Sequence, residues 1–282
     1  MTDCNIDVLD HGYVKLLDVM GDDAAIDQAA RTSYDSRGKG EVRKLIRSLM
    51  RRRHTSPFEM AELKFEVKMP IHVARQWHRH RTASINEVSA RYTTLPAEMY
   101  VPQPKHIFAK KHDDKQGRGG FLNEGNKVHA AATIRVANAD AYDAYEHLLA
   151  GDVAPETARG NLPLNVYTTF VWKLDLHNLM HFLNLRCDSH AQWEIRQYAN
   201  VIETMTTSLF PLSMEAWGDY IFRSHTLSRW AMAAVQDIFK EITYGKLNQE
   251  AAMVKVHAAM VPEHMTQREW FEDVIPVTEV RF

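Results

Sequence analysis

Only two cysteines occur in the 282 residues, Cys4 and Cys187. They lie far apart, so they make neither a disulfide framework nor a CxxC metal knuckle, and both are expected as reduced thiols. No window approaches the roughly 18 consecutive apolar residues of a membrane span. The opening MTDCNIDVLDHGYV also lacks the charged and apolar regions of a secretory leader. The expectation is therefore a cytoplasmic protein with no membrane partner. Charge of one sign is lacking too, with 34 Lys and Arg against 36 Asp and Glu and a net charge of -2. Without a global positive field, nucleic acid is not an expected partner and any anion site must be local. No GxGxxG follows a strand pattern, which excludes dinucleotide binding of the Rossmann kind. The one Gly-rich stretch, 115–120 (KQGRGG), is set among charges and reads as a surface excursion. Internal repeats and low-complexity tracts are absent.

What is present is a globular composition, 45% hydrophobic, enough for one large core or two modest ones. Helix periodicity runs from Glu41 to Arg53, where Val42, Leu45, Ile46, Leu49 and Met50 share a stripe. The period then changes. Leu63, Phe65, Val67 and Met69 alternate with Glu62, Lys64, Glu66 and Lys68, the pattern of a strand with one wet face. Pro70 stops that strand and suits the start of a short helix over Ile71 to Trp77, which delivers the next segment to a strand-helix junction. A long helix is predicted from Asn123 to Leu149, an apolar strand from Pro163 to Leu174, and helices from His177 to Arg186 and from Ala191 to Leu209. This mixed order favours an α+β domain, with helices packed on an antiparallel or mixed sheet, over a doubly wound one. The domain is expected to span 1–225, with 226–282 a helical extension of it in which Trp230, Ala234, Ile238 and Ile242 fall at near-helical spacing.

Residues 75–92, RQWHRHRTASINEVSARY, carry the chemistry. Arg75, Arg79, Arg81 and Arg91 stand there with Gln76, His78, His80, Asn86, Glu87 and Ser89. Arginine suits phosphate because its planar fork donates two parallel hydrogen bonds and keeps its charge at any working pH. A charged surface loop is the competing reading. Such a face would carry carboxylates at helical spacing, whereas here Glu87 is the one acid among hydroxyl and amide groups. His72, His78 and His80 have no Cys or carboxylate at a zinc spacing around them, so no metal is expected. A nucleic-acid arm built from LIRSLMRRRH and RHR lacks interleaved aromatics for stacking.

RHRTASINEVSAR, Arg79 to Arg91, resembles the signature RHRxxSxNExSxR of flavin-dependent thymidylate synthases at every fixed position. The stretch His54 to Glu59 (HTSPFE) is similar to that family's His-x-(Ser/Thr)-Pro-Phe-Glu, and VARQW before the signature fits as well. So do His181 to Arg186 and Ser189 to Arg196, with a nucleotide arginine at Arg159. Together these cover about residues 10 to 220 and leave the tail uncovered.

The resemblance implies the family's α+β fold, assembled as a homotetramer with sites at subunit junctions. It implies conversion of dUMP to dTMP with 5,10-methylenetetrahydrofolate as carbon donor and NADPH as reductant through FAD. Gln76, Arg79, Glu87, Ser89, Arg91, Arg159 and Arg186 fall on dUMP-binding positions, with Arg91 and Arg159 as phosphate clamps. Arg186 is the implied catalytic residue, stabilising charge that develops on the pyrimidine. Ser56, Arg79, His80, Arg81, Glu87, Asp175, His177 and His181 fall on FAD contacts, and His54 falls near the approach of folate or nicotinamide. At Asp175, His177 and His181 the chain departs from the family's Asn, Arg and Asn or His, which makes flavin contact there sensitive to pH. The flavin route needs no protein nucleophile. Ser89 has no Ser-His-carboxylate arrangement around it, and Cys187 reads as a small core residue. The alternative function is a non-catalytic nucleotide- or RNA-binding module that uses the arginine cluster.

Overall fold

The chain divides into two compact units, Met1–Arg223 and Ser224–Phe282. The computed structural model describes residues 5–33, 40–110 and 118–243. Cys4, residues 115–117 of the Gly-rich stretch and the tail after residue 243 lie outside the described residues.

A hairpin of β1 (Asn5–Val8) and β2 (Gly12–Met20) opens the first unit. Gly12 is there because a Cβ would stand 2.6 Å from the Lys68 carbonyl oxygen and 2.8 Å from that of Val8. Two helices follow, α1 (Asp23–Thr32) and α2 (Val42–Arg51). The expected alternating strand is β3 (Glu62–Pro70), and the expected short helix is α3 (Ile71–Trp77), with Pro70 extended at its N-cap. Beyond it come β4 (Ser84–Glu87), a small hairpin of β5 (Ala109–Lys110) and β6 (Arg118–Gly120), and the long α4 (Glu124–Ala150), capped by the Asn123 side chain. A short α5 (Pro155–Ala158) leads through a 3-10 turn at Arg159–Asn161 to β7 (Tyr167–Asp175). That strand begins later than its apolar pattern does because Val166 N–H closes a turn onto the Pro163 carbonyl at 3.1 Å. The unit ends in α6 (Leu176–Arg186), α7 (Trp193–Leu209), α8 (Pro211–Trp217) and one π-helical turn at Gly218–Phe222.

The five-stranded sheet has the order β1-β2-β3-β7-β4, and every neighbouring pair is antiparallel. The strand pattern expected for β3 holds along its whole length: Leu63, Phe65, Val67 and Met69 are buried, and the charged residues between them are not. On β7 they face Leu174, Trp172, Phe170 and Thr168. This apolar face shares one core with residues of α1, α2, α6, α7 and α8. The wet face is laced by Lys173 Nζ to Glu62 at 2.8 Å, Lys64 Nζ to Asp18 at 3.2 Å and Tyr13 Oη to Glu66 at 2.9 Å.

In the second unit the described element is α9 (Arg229–Thr243). Trp230 is 81% exposed and Ile238 6%, so the stripe expected there is not covered along its length. No helix among the described residues is long and apolar enough to cross a membrane.

Candidate active site

Aromatic packing decides where the signature segment lies. Trp77, the last residue of α3, is fully buried; its ring centroid stands 4.9 Å from Trp172 on β7 and 4.3 Å from Phe182 on α6. Trp172 and Phe182 are themselves 5.0 Å apart. α6 starts directly after β7 because the Asp175 carboxylate caps it, accepting from Asn178 N–H at 2.8 Å and from Asn178 Nδ2 at 2.6 Å. With both ends pinned, the last residue of α6 arrives beside the end of α3. Arg186 Nε donates to His80 Nε2 at 2.9 Å, and Arg186 Nη2 donates to the Gln76 backbone carbonyl at 3.3 Å.

The electrostatics of that contact are lopsided. Burial pushes His80 down from 6.5 to about 4, and the neighbouring Arg186 and His181 add to the shift. The imidazole is therefore neutral at working pH, with Nε2 as the acceptor and the proton on Nδ1. Burial also lowers Arg186, which nevertheless stays a cation because guanidinium loses its proton only far above neutrality. The product is a half-buried positive charge held in orientation by a neutral ring, a form suited to stabilising negative charge on a bound ligand.

The rest of the signature runs along the sheet edge. β4 pairs Glu87 with Phe170, and Glu87 Oε1 accepts from the buried Thr168 hydroxyl at 2.6 Å. Ser89 Oγ accepts from the Arg91 N–H at 3.4 Å, and the Arg91 guanidinium lies 5.0 Å from the Tyr92 ring. Arg75, Arg79, Arg81, Arg91 and Arg159 are all exposed, and no salt bridge to a carboxylate engages any of them among the described residues. Arg47 on α2, by contrast, holds Glu215 at 3.0 Å and Asp219 at 2.6 Å. Uncompensated arginines beside a sheet edge are what an anionic ligand requires. Arg159, on its 3-10 turn, makes no hydrogen bond to the Gln76, His80 and Arg186 group within the described chain.

The distal positions gather elsewhere. His54, His177 and His181 line one pocket of about 140 Å³, with Phe58, Met180 and Trp217 in its wall. The His181 ring lies 6.2 Å from His80, which ties this pocket to the arginine contact. Ser56 lies in the exposed turn where Thr55 O accepts from Phe58 N–H at 2.9 Å. Asp175 has both oxygens engaged by Asn178, so its carboxylate serves the helix start. Burial pushes the Cys187 thiol up to about 12, and the side chain packs against the core. It is a protonated thiol at neutral pH, as a small core residue should be.

Three residues escaped sequence reasoning. The Gln76 side-chain Nε2 donates to Gln192 Oε1, Gln192 Nε2 donates to Glu194 Oε2 at 2.8 Å, and Tyr100 Oη donates to Glu194 Oε1 at 3.2 Å. Gln192 and Glu194 sit in the distal block 189–196, but their link to Gln76 spans 116 positions and no local pattern marks it. Nothing in the sequence around Tyr100 signals a part in it.

A family described as thymidylate synthase complementing protein matches residues 15–212 of the chain. A flavin-dependent thymidylate synthase of Ruegeria pomeroyi is 43% identical over 277 residues, 95% of this chain and 87% of that protein. One from Thermus thermophilus is 49% identical over 244 residues, 86% of this chain and 88% of that protein. Among solved structures, the UMP/dUMP methylase PolB of Streptomyces cacaoi, bound with 5-Br dUMP, superposes with a TM-score of 0.69 at 34% identity. The match covers 76% of this chain and 98% of that one.

Proposed function

The chain belongs to the flavin-dependent thymidylate synthase family, and from that premise we propose that it methylates dUMP to dTMP with Arg186 as its catalytic cation. The chemistry of the donor set fits the ligands this requires. Exposed arginines without carboxylate partners suit the phosphates of dUMP and FAD, and the pocket of His54, His177 and His181 offers apolar walls with polar tips to a flat ring. Bound there, reduced flavin supplies reducing equivalents drawn from NADPH, and 5,10-methylenetetrahydrofolate supplies the one-carbon unit.

The protein's own part is binding, orientation and charge. Arg91 and Arg159 hold the nucleotide phosphate, with Arg79, Glu87 and Ser89 completing the dUMP contacts. Glu87 is held by Thr168, and Ser89 by the turn that carries Arg91. Arg186 faces the uracil edge and stabilises the negative charge that develops on the pyrimidine, while His80 keeps its guanidinium in plane. The raised Cys187 thiol supports a route with no cysteine nucleophile. We place the enzyme in the cytoplasm as a homotetramer with Arg159 supplied across a subunit junction.

The observation that carries this reading is the half-buried Arg186 cation fixed between His80 and Gln76. The test is release of the C5 hydrogen of dUMP by the flavin-loaded protein with NADPH and methylenetetrahydrofolate. Arg186→Ala should cut that release about a hundredfold or more while flavin stays bound, and Cys187→Ser should leave turnover near wild type. Absence of hydrogen release by the wild-type protein would overturn the assignment.

A further inference from the structure

Helix α2 ends in a backbone conformation that its sequence resists. Arg53 N–H donates to the Met50 carbonyl at 3.1 Å and His54 N–H donates to the Leu49 carbonyl at 3.0 Å, the paired bonds of a helix that closes through a left-handed residue. That residue is Arg53, at φ 59°. Glycine suits the position, because a Cβ there crowds the carbonyl oxygen that follows. Two other non-glycine residues have positive φ, Leu9 and Asp152. Aspartate is among the residue types that tolerate this region, and Leu9 packs against the core. Arg53 has neither excuse: its side chain is exposed and engages no carboxylate among the described residues. What it has is a place in the lining of the pocket of about 140 Å³ that also holds His54, His177 and His181. No carboxylate lines that pocket, and Leu49 and Phe58 in its wall are buried. Arg51 and Arg52 are equally exposed, but Arg51 lies within the helix and Arg52 has φ −91°, so a basic surface by itself requires no left-handed residue. A costly backbone conformation at an exposed side chain is typical of ligand-binding positions.

We propose that Arg53 is a binding residue for the anionic tail of the dissociable co-substrate that approaches this pocket, closing its guanidinium fork on a carboxylate or a phosphate. Two co-substrates of the reaction carry such a tail, methylenetetrahydrofolate in its glutamate carboxylates and NADPH in its phosphates. Apolar contact attracts a ring without orienting it, whereas two parallel hydrogen bonds to an oxyanion orient the molecule from its other end. The left-handed turn gives the cation its place, because it carries the chain out of α2 so that residues 53 and 54 both line the pocket. This inference rests on the reading above that the protein is a thymidylate synthase and that His54 borders the approach of folate or nicotinamide.

Arg53→Gly separates a binding role from a structural one, because the two move stability in opposite directions. Glycine relieves the left-handed backbone, so the melting temperature of the flavin-free protein should rise by about 1 °C or more. The KM of the co-substrate should rise roughly tenfold or more at the same time. An arginine kept for structure alone would lower the melting temperature when removed. Arg53→Lys, which keeps the charge but not the fork, should recover part of the affinity without the gain in stability. The KM values come from C5-hydrogen release by the flavin-loaded enzyme. A rise for methylenetetrahydrofolate alone assigns the tail to the glutamate carboxylates, and a rise for NADPH alone assigns it to a dinucleotide phosphate. A rise for both means that one cation serves each in turn. If neither KM rises, if Arg53→Gly melts no higher than wild type, or if it releases its flavin, the inference is overturned and the activity assignment stands. Wild-type protein that fails to release hydrogen from dUMP overturns that assignment and this inference with it.

Discussion

His80 illustrates how one side chain can couple folding to the site. In the unfolded chain its imidazole titrates near 6.5, and in the folded chain near 4, because burial, Arg186 and His181 all oppose a second proton. The sign follows from proton uptake. Between those values the unfolded chain binds a proton that the folded chain refuses, so this residue's contribution to stability is complete above about pH 6.5 and is lost progressively as pH falls toward 4. Protonation would also put an N–H where Arg186 Nε now donates. Thermal unfolding of the ligand-free protein across this range should therefore show a smaller acid-side loss in His80→Gln than in wild type. Equal slopes would mean that the ring is already protonated or solvated in the folded chain. The other site residues were legible one at a time, since arginine and glutamine in a fixed spacing advertise anion and amide chemistry. Their partners, His80 for Arg186 and Gln192 for Gln76, lie 106 and 116 positions away and were not.

At the scale of elements, α3 and α6 owe their meeting to three rings. Trp77 closes α3, Trp172 lies mid-strand on β7 and Phe182 faces inward from α6, with centroid separations of 4.3 Å, 4.9 Å and 5.0 Å. Removing Phe182, which has no exposed surface, leaves a cavity among aromatic walls. Phe182→Ala should cost about 3–5 kcal/mol in a denaturant titration and should weaken hydrogen release as well, because the end of α6 carries Arg186. A loss under about 1 kcal/mol would show that the cluster collapses around the gap without holding the helices. α8 shows a related dependence on distant sequence. Its first N–H groups are capped by the buried Asp23 of α1, which accepts from Leu212 N–H at 2.7 Å and from Ser213 N–H at 3.0 Å.

For the whole molecule, the exposed Arg159 and the long α4 point the same way. α4 runs for 27 residues yet buries only Ala131, Asn138 and Tyr145, and it leaves Val128 56% and Val136 61% exposed. Apolar surface of this kind suits contact with other copies of the chain. If one subunit lends Arg159 to the Arg186 site of another, Arg159→Ala and Arg186→Ala will each be nearly inactive alone. Co-refolded in equal amounts, they should recover activity at about one site in four by random pairing. No recovery in assays of the mixed protein would place Arg159 and Arg186 in the same chain's site.

The sequence by itself determined whatever depends on neighbours along the chain. The alternation of β3, the proline that ends it, the helix over Ile71–Trp77 and the long helix that follows Asn123 are all local patterns, and each appears where it was expected. The signature from Arg79 to Arg91 likewise carried the family. Tertiary structure decided the rest. β4 is exposed along its whole length and has no alternating pattern, so only its pairing with β7 makes it a strand. The capping of α6 by Asp175, which accepts from Asn178 with both oxygens, was likewise not legible from the resemblance that placed Asp175 at a flavin contact. The Gln76 side chain meets Gln192, 116 positions away, because a hydrogen bond answers to proximity in space, and only the packed fold supplies that.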